Sequence, residues 1–404
     1  MFSSFFESPL PHIGIDLSDK SLKLARVVHG KRTAKMLGAF ERAVPRGLYV
    51  EGRVQQSEAL AEFLRDTFSQ REVSRFAVPH VVAALPEGLC FIRVMQLPEI
   101  PEEEIAKALP WETEGVIPLS VDQAYIDWRI IGRSIKRQET SSEEKPHIDV
   151  LLAAVDRAVV DEYAEVLCRA HLVPAGFEPE SIAVTRALLK PGVSYPPVLI
   201  MDVGGSRTVL SIVSGQSLRV TASISISSTD FTERIARECK VSFKEAEERK
   251  RRFGILPEGL GKENFEAVTP LLADLTEQLQ GYFEYYRTHA FHEHELYTLA
   301  VQVSESSSGT FDFRPIARGE VQVGRTNSPS EGTTITSVLL AGGGSSMPGL
   351  AEYLVGALSI PVKHGDALTN IVAAKSLRSS PDTVGYAAAF GLAMHPLKET
   401  LKLV

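Results

Sequence analysis

The sequence predicts an α/β protein built from two related halves, and three stretches carry that expectation. In VLIMDVGGSRTVLSIV, residues 198–213, an apolar run ends in Asp202, passes Gly204 and Gly205, and resumes as the alternating Thr208 to Val213. That pattern reads as a buried strand, a tight glycine turn and a returning strand. HIGIDLSDKSLKLARVV, residues 12–28, repeats the scheme with apolar residues, Asp16, a polar turn and a second strand. Taken alone, either stretch is an ordinary β-hairpin whose aspartate caps its turn. Two copies nearly half the chain apart point instead to a duplicated fold closing on one ligand from both sides. The third stretch, SVLLAGGGSSMPGL (337–350), is a buried strand running into three glycines and a helix start.

Composition sets the bounds. At 404 residues more than one core is expected. An apolar content of 44% with 23% charged residues is that of an ordinary soluble globular protein. A net charge of −8 argues against a nucleic-acid-binding surface. No apolar run reaches the length of about 18 residues that a membrane span needs. The start, MFSSFFESPLPHIG, lacks a basic n-region and is broken by Glu7, Pro9 and Pro11, so it does not read as a signal peptide. A cytoplasmic protein is expected. Cys90, Cys168 and Cys239 have no ligand-like spacing and read as buried core thiols.

The order of elements follows the same plan. Residues 12–45 read as a hairpin plus a third strand, closed by Pro45-Arg46-Gly47. SEALAEFLRDTFS (57–69) places Leu60, Phe63, Leu64 and Phe68 on one helical face behind a Ser57 cap, and HVVAALP (80–86) returns as a buried strand. That order opens an RNase-H-like half, assigned to residues 1–86. Residues 87–173 read as an inserted α/β subdomain: two strands around an acidic helix (101–111), a polar hairpin tip (132–146), a strand at 147–156 and a second helix at 157–173. FEPESIAVTRALL (177–189) is predicted as a helix returning to the first half, within 174–197.

The second half is assigned to 198–228 and 335–382, with 229–334 between them as a helical subdomain. A strand and two charged helices cover 223–254. A long helix over 269–296 carries Leu272, Leu275, Leu279 and Phe283 on one face. A Ser/Gly/Thr-rich surface insertion with short strands at FDFRPIA and EVQV follows at 303–334. TVGYAAAFGLAM (383–394) is a small-residue helix, and 383–404 returns to the first half. HAFHEHE suggests a metal site at His289, His292 and His294, but on a helix His294 points away from the other two, so a surface helix end is the reading.

The two aspartate hairpins and the triple-glycine loop, in that order, resemble the two phosphate loops and the adenosine loop of the actin/Hsp70/sugar-kinase ATPase superfamily. An insertion after the first strand–helix–strand unit resembles FtsA. VMQLPEIPEEEIAKALPWETEGVIPLSVDQAYIDWRII and LTEQLQGYFEYY are similar to the type IV pilus assembly protein PilM family. The resemblance implies an actin-like, FtsA-like duplicated fold with an inserted 1C-type subdomain, binding ATP and Mg. Asp16 and Asp202 would face the metal through water, as a hard, hydrated cation prefers. Gly204, Gly205 and Ser206, with Ser18, would meet phosphate. Gly342, Gly343, Gly344 and Ser345 would let adenosine lie on bare backbone.

Lys23 either neutralises the terminal phosphates or is a solvated strand lysine. Glu247 and Lys250 either hold the ribose or pair along a charged helix. Glu178 and Glu180 either position an attacking water or are exposed helix-start acids. The first loop departs from the family's GIDIG, with Ser18-Asp19 at its end; an added carboxylate near phosphate puts efficient hydrolysis in doubt. Turnover well below the roughly 10 per second enzyme median is expected.

The family further implies a scaffold at the inner membrane, where separate motor ATPases drive the pilus. Its partner would be the cytoplasmic N-terminal tail of a PilN-like membrane protein, alongside other pilus assembly components; membrane association would come only through partners, and homo-oligomerisation stays open. Trp111, Ile117 and Tyr125 are the candidate contact residues, with Trp128 in the subdomain's own core. The rivals are an FtsA-like cell-division filament protein and an active ATPase or kinase. HPLKETLKLV is too short and too weakly apolar for FtsA's membrane helix, and no sugar-acceptor site is evident.

Overall fold

The computed structural model describes residues 10–30, 34–113, 117–133, 147–289, 302–305, 311–314, 334–373 and 381–396. The first aspartate hairpin forms as β1 (Ile13–Leu17) and β2 (Ser21–His29), in a register that sets Asp16 across from Lys23. β3 (Ala34–Ala43) adds to β2, and a small hairpin of β4 (Tyr49–Val50) and β5 (Arg53–Val54) follows. α1 (Ser57–Ser69) buries Leu60, Phe63 and Leu64, while Ser57 is its first residue rather than its cap, which is Gln56. A single helical turn, α2 (Arg71–Ser74), leads to β6 (His80–Leu85), parallel to β1.

Next, β7 (Cys90–Pro98), α3 (Glu102–Thr113), β8 (Ala124–Arg133) and β9 (His147–Asp156) build a separate antiparallel sheet of order β7-β9-β8. Leu97, Ile105, Leu109, Ile148, Val150 and Leu152 form its core, with Trp128 packed against it. The following helix, α4 (Arg157–Arg169), does not join that unit. Its Val159, Tyr163, Val166 and Leu167 share a core with Ile13, Ile15, Leu60 and Leu64, so the chain re-enters the first half earlier than the expected boundary at 173.

The predicted helix at 177–189 also starts late. Val173–Pro179 is a strand, β10, and only Glu180–Leu188 is helical, α5. The prolines and Gly176 of VPAGFEP hid the strand. They are tolerated because β10 is the edge of the first sheet and carries a bulge between Pro174 and Gly176.

The second half repeats the plan. β11 (Tyr195–Val203) and β12 (Thr208–Gly215) are the second aspartate hairpin, extended by β13 (Ser217–Ile224). α6 (Ser228–Glu238) begins in a capping box of Ser227 and Asp230, and α7 (Phe243–Phe253) follows. α8 (Gly259–His289) starts ahead of the expected 269 and runs through Pro270. Complete burial of Val268, Leu272, Leu275 and Leu279 on both sides of the proline holds the helix against the lost hydrogen bond. β14 (Gln302–Glu305) pairs with β15 (Phe311–Arg314). The proposed EVQV strand, His292 and His294 lie outside the described residues.

β16 (Ser337–Ala341) pairs with β11 and enters the glycine turn; α9 (Leu350–Leu358) and β17 (Val362–His364) complete a sheet of order β13-β12-β11-β16-β17. The chain returns to the first half sooner than residue 383, because β18 (Ile371–Val372) pairs with β3. The first sheet is therefore β10-β6-β1-β2-β3-β18. α10 (Ala387–Ala393), buried along its whole length, nests between that sheet and α5. Glycine permits the approach: a Cβ on Gly14 would stand 2.4 Å from the Ala389 carbonyl oxygen, and one on Gly391 would stand 1.8 Å from that of Ala183.

Candidate functional site

A cavity of about 880 Å³ is lined by both aspartate turns, by α7 and by the glycine turn after β16. Asp16 and Asp202 both line it. Burial raises the carboxyl of Asp16 above its usual range, opposed by Lys23. Burial, then Asp16, pushes Asp202 up to about 7, again against Lys23. Lys23 lines the same cavity and lies 6.0 Å from the Tyr386 ring.

The turns differ in detail. Ser18 closes its own turn, donating from Oγ to the Ser21 carbonyl at 3.0 Å and accepting from the Ser21 amide at 3.1 Å, so its hydroxyl is engaged inside the loop. Asp19 accepts the Glu51 amide at 3.1 Å, tying its carboxylate to the β4–β5 hairpin. In the second turn the Gly204 amide donates to the Arg207 carbonyl at 2.9 Å, the Ser228 amide donates to the Gly204 carbonyl at 3.0 Å, and Thr229 Oγ1 donates to that of Gly205. Ser206 lines the cavity beside them.

Gly342 holds φ +79°, and a Cβ there would lie 2.2 Å from Asp202 Oδ1. One on Gly344 would lie 2.6 Å from Val203 Cγ1, whereas one on Gly343 would meet nothing within 4 Å. Gly343 thus presents bare backbone to open space. Ser345 does not: it is fully buried and donates to the Gly342 carbonyl at 2.8 Å, while Ser346 takes its place at the cavity.

On α7, Lys250 is 4% exposed and donates to Ser228 O at 2.8 Å, Ser228 Oγ at 2.7 Å and Thr232 Oγ1 at 2.7 Å. Its ammonium also lies 2.9 Å from Glu247. Burial works to raise Glu247, but hydrogen bonds from Thr232 and Lys250 outweigh it and hold the carboxylate at about 2. Burial lowers Lys250 despite Glu247. The ammonium's three N–H groups therefore serve the protein, and of this pair Glu247 is the residue left with a face toward a ligand.

The two glutamates of FEPES separate. Glu178 is 7% exposed and forms a two-pronged ion pair with Arg186, so it is outside the cavity and unsuited to activating water there. Glu180, the first residue of α5, lines the cavity; burial, with Asp16 and Asp202 nearby, keeps its carboxyl well above the normal range. Neither is the exposed helix-start acid. Arg207, Tyr49 and Gly385 also line the cavity without having been candidates. Arg207 had one signal, its position directly after Gly-Gly-Ser in the turn.

Among the described residues no three His, Cys, Asp or Glu side chains gather closely enough to ligate a metal directly. Cys168 is exposed on α4, against expectation, while Cys90 and Cys239 are partly buried and pack against the cores of the first and second halves. On the three-stranded unit, Trp111 is 78% exposed and Tyr125 41% exposed, but Ile117 is 5% exposed and packs inward, which removes it from the candidate contacts. No helix among the described residues is long and apolar enough to cross a membrane.

Two hairpin-led halves facing a shared, acidic, glycine-floored cavity define an actin-like ATPase fold. A family model for the type IV pilus assembly protein PilM matches residues 14–298. The chain belongs to that family. A structure titled "PilM-PilN type IV pilus biogenesis complex" is similar over 96% of this chain and 98% of that one, at 23% identity and a TM-score of 0.70. The ethanolamine utilization protein EutJ from Carboxydothermus hydrogenoformans is similar over 96% and 91%, at 13% identity and a TM-score of 0.50.

Proposed function

We propose that the chain is a nucleotide-binding scaffold of the type IV pilus assembly machinery, placed in the cytoplasm at the inner membrane by a PilN-like partner. Its family and its likeness to a PilM-PilN complex support the pilus reading. The observation that carries nucleotide binding is the Gly343 backbone, which faces open space in the cavity that Asp16 and Asp202 also line. An adenosine would lie on Gly342–Gly344, and Glu247 would meet the ribose. The Gly205 amide, Ser206 and Lys23 would meet phosphate, while the Gly204 amide is held by the Arg207 carbonyl inside the turn. Asp16 and Asp202 would hold magnesium through its waters, and the metal would supply positive charge to phosphate oxygens. Slow hydrolysis is the turnover we expect; Glu180, whose carboxyl burial raises well above its ordinary range, is the cavity residue that would position an attacking water.

The partner surface is the three-stranded unit. β8 is an edge strand, and Tyr125 and Trp111 are exposed on this unit. An extended peptide could pair with that edge and seat apolar side chains beside it. The exposed Glu103, Glu104 and Glu112 favour a basic or amide-rich tail.

The test is calorimetry of ATP with magnesium on wild type and Gly343→Val, joined to a pull-down with the PilN-type tail. The valine should abolish ATP binding while the fold stays intact, because it enters ligand space rather than protein. Unchanged affinity in Gly343→Val would remove the adenosine assignment. Tail capture surviving deletion of residues 90–156 would remove the partner surface.

A further inference from the structure

Arg207 ends the second aspartate turn and crosses from the second half to the first. Its Nη1 lies 2.2 Å from the point a Cβ would occupy on Gly88, and its guanidinium carbon lies 3.5 Å from that point. Only glycine leaves room for this seat. The same guanidinium lines the cavity and opposes the rise of the Glu180 carboxyl. Among the described residues it forms no hydrogen bond or ion pair, so a rigid fork of N–H donors stands at the cavity wall with its donors uncommitted.

The seat has consequences further out. Gly88 is the middle of the tight turn Glu87–Leu89, and the chain enters β7 at the next residue, Cys90. Glu87 is buried in that turn, where it accepts the Ser181 amide at 3.2 Å from the start of α5 and bonds to Thr221 of β13. A second tie joins the sheets, since Asp149 of β9 and Arg219 of β13 are a buried pair 3.6 Å apart. The turn under Arg207 is thus the root of the three-stranded unit, clamped between both halves.

We propose that Arg207 senses the distal phosphate of a bound nucleotide, donating to it and, through its seat on Gly88, making β7 respond to whether that phosphate is present. This rests on the nucleotide reading above. A charge-assisted fork suits the phosphate that distinguishes a triphosphate from a diphosphate, because that group adds charge and acceptor oxygens together.

The experiment uses the full chain, with ATP and ADP, and reads two quantities: affinity by calorimetry, and hydrogen exchange in residues 90–98. Arg207→Gln should weaken ATP binding roughly tenfold or more, as for loss of one charged hydrogen-bond donor, and leave ADP nearly unchanged. It should also abolish the exchange difference between the ATP and ADP states in β7. Gly88→Ala, at a position without left-handed backbone, should keep ATP binding yet reduce that difference by displacing the guanidinium. Should Arg207→Gln fail to fold, Gly88→Ala and the charge-keeping Arg207→Lys carry the test. Equal losses for ATP and ADP, or a β7 response that survives in both variants, would overturn the proposal. Wild type binding neither nucleotide would instead remove the nucleotide reading, and this inference with it.

Discussion

The two aspartate turns share a scaffold and divide its chemistry. Asp16 faces Lys23 across its hairpin, whereas Asp202 faces Val209. One aspartate therefore has a cation one strand away and the other shares its twin's lysine; burial, then Asp16, carries the Asp202 carboxyl to about 7. The first loop closes on itself through Ser18 and turns its extra carboxylate, Asp19, toward Glu51. The second keeps two glycines and an arginine at the cavity. Duplication of a fold thus fixes where the acids stand, and burial first, with neighbouring charges after it, sets how readily each ionises.

The largest expected effect is at Asp202. Asp202→Ala should weaken binding of ATP with magnesium by roughly 10- to 100-fold, the usual cost of losing a group that orients a metal's ligands. Calorimetry with and without EDTA checks it, and a loss as large without metal as with it would break the assignment. Lys23→Met should come next, at about tenfold, which is about 1.4 kcal/mol. It should also raise both the Asp16 and Asp202 carboxyls, because Lys23 opposes the rise of each, visible as an upward shift in the pH at which ATP affinity falls off.

The glycines of the second turn should separate in stability. A Cβ on Gly204 would meet the Arg207 carbonyl oxygen at 2.8 Å, rigid backbone, so Gly204→Ala should cost about 1–3 kcal/mol in denaturant unfolding. The same methyl on Gly205 meets only Lys20 Cγ at 2.8 Å, a flexible chain, and should cost less than about 0.5 kcal/mol.

A pH series sharpens the contrast further. With the Asp202 carboxyl raised from 3.8 to about 7, the folded nucleotide-free protein holds a proton that the unfolded chain releases. The contribution of Asp202 to stability should therefore be fullest below about pH 4 and be lost as pH rises through 7. Asp202→Asn should flatten this slope more than Asp16→Asn, as thermal melts across the series would register. Smallest of all, Asp19→Asn should change ATP affinity by less than about twofold, because its carboxylate is already engaged by the Glu51 backbone amide. A clear gain in affinity would show that Asp19 repels phosphate after all.

Periodicity and turn chemistry made much of this legible. The alternating runs after Asp16 and Asp202, the triple glycine, and the leucine face of α8 are local patterns that burial then uses as written. What failed were readings that depend on neighbours far along the chain. β10 carries two prolines and is a strand only because β6 offers it an edge. Glu178 and Glu180 are two residues apart in one motif, yet Arg186 removes the first from the cavity and leaves the second in it.

From its sequence alone the chain had two acid-bearing hairpins, a glycine turn in the right order, and the motifs of its family, because strand alternation and glycine's freedom act over a few residues. Only the tertiary structure decided that Ser345 and Ile117 turn inward, that Lys250 spends its donors on Ser228 and Thr232, and that Arg207 reaches Gly88. Those outcomes turn on angstrom-scale contacts between segments far apart in the chain, and no local pattern encodes such distances.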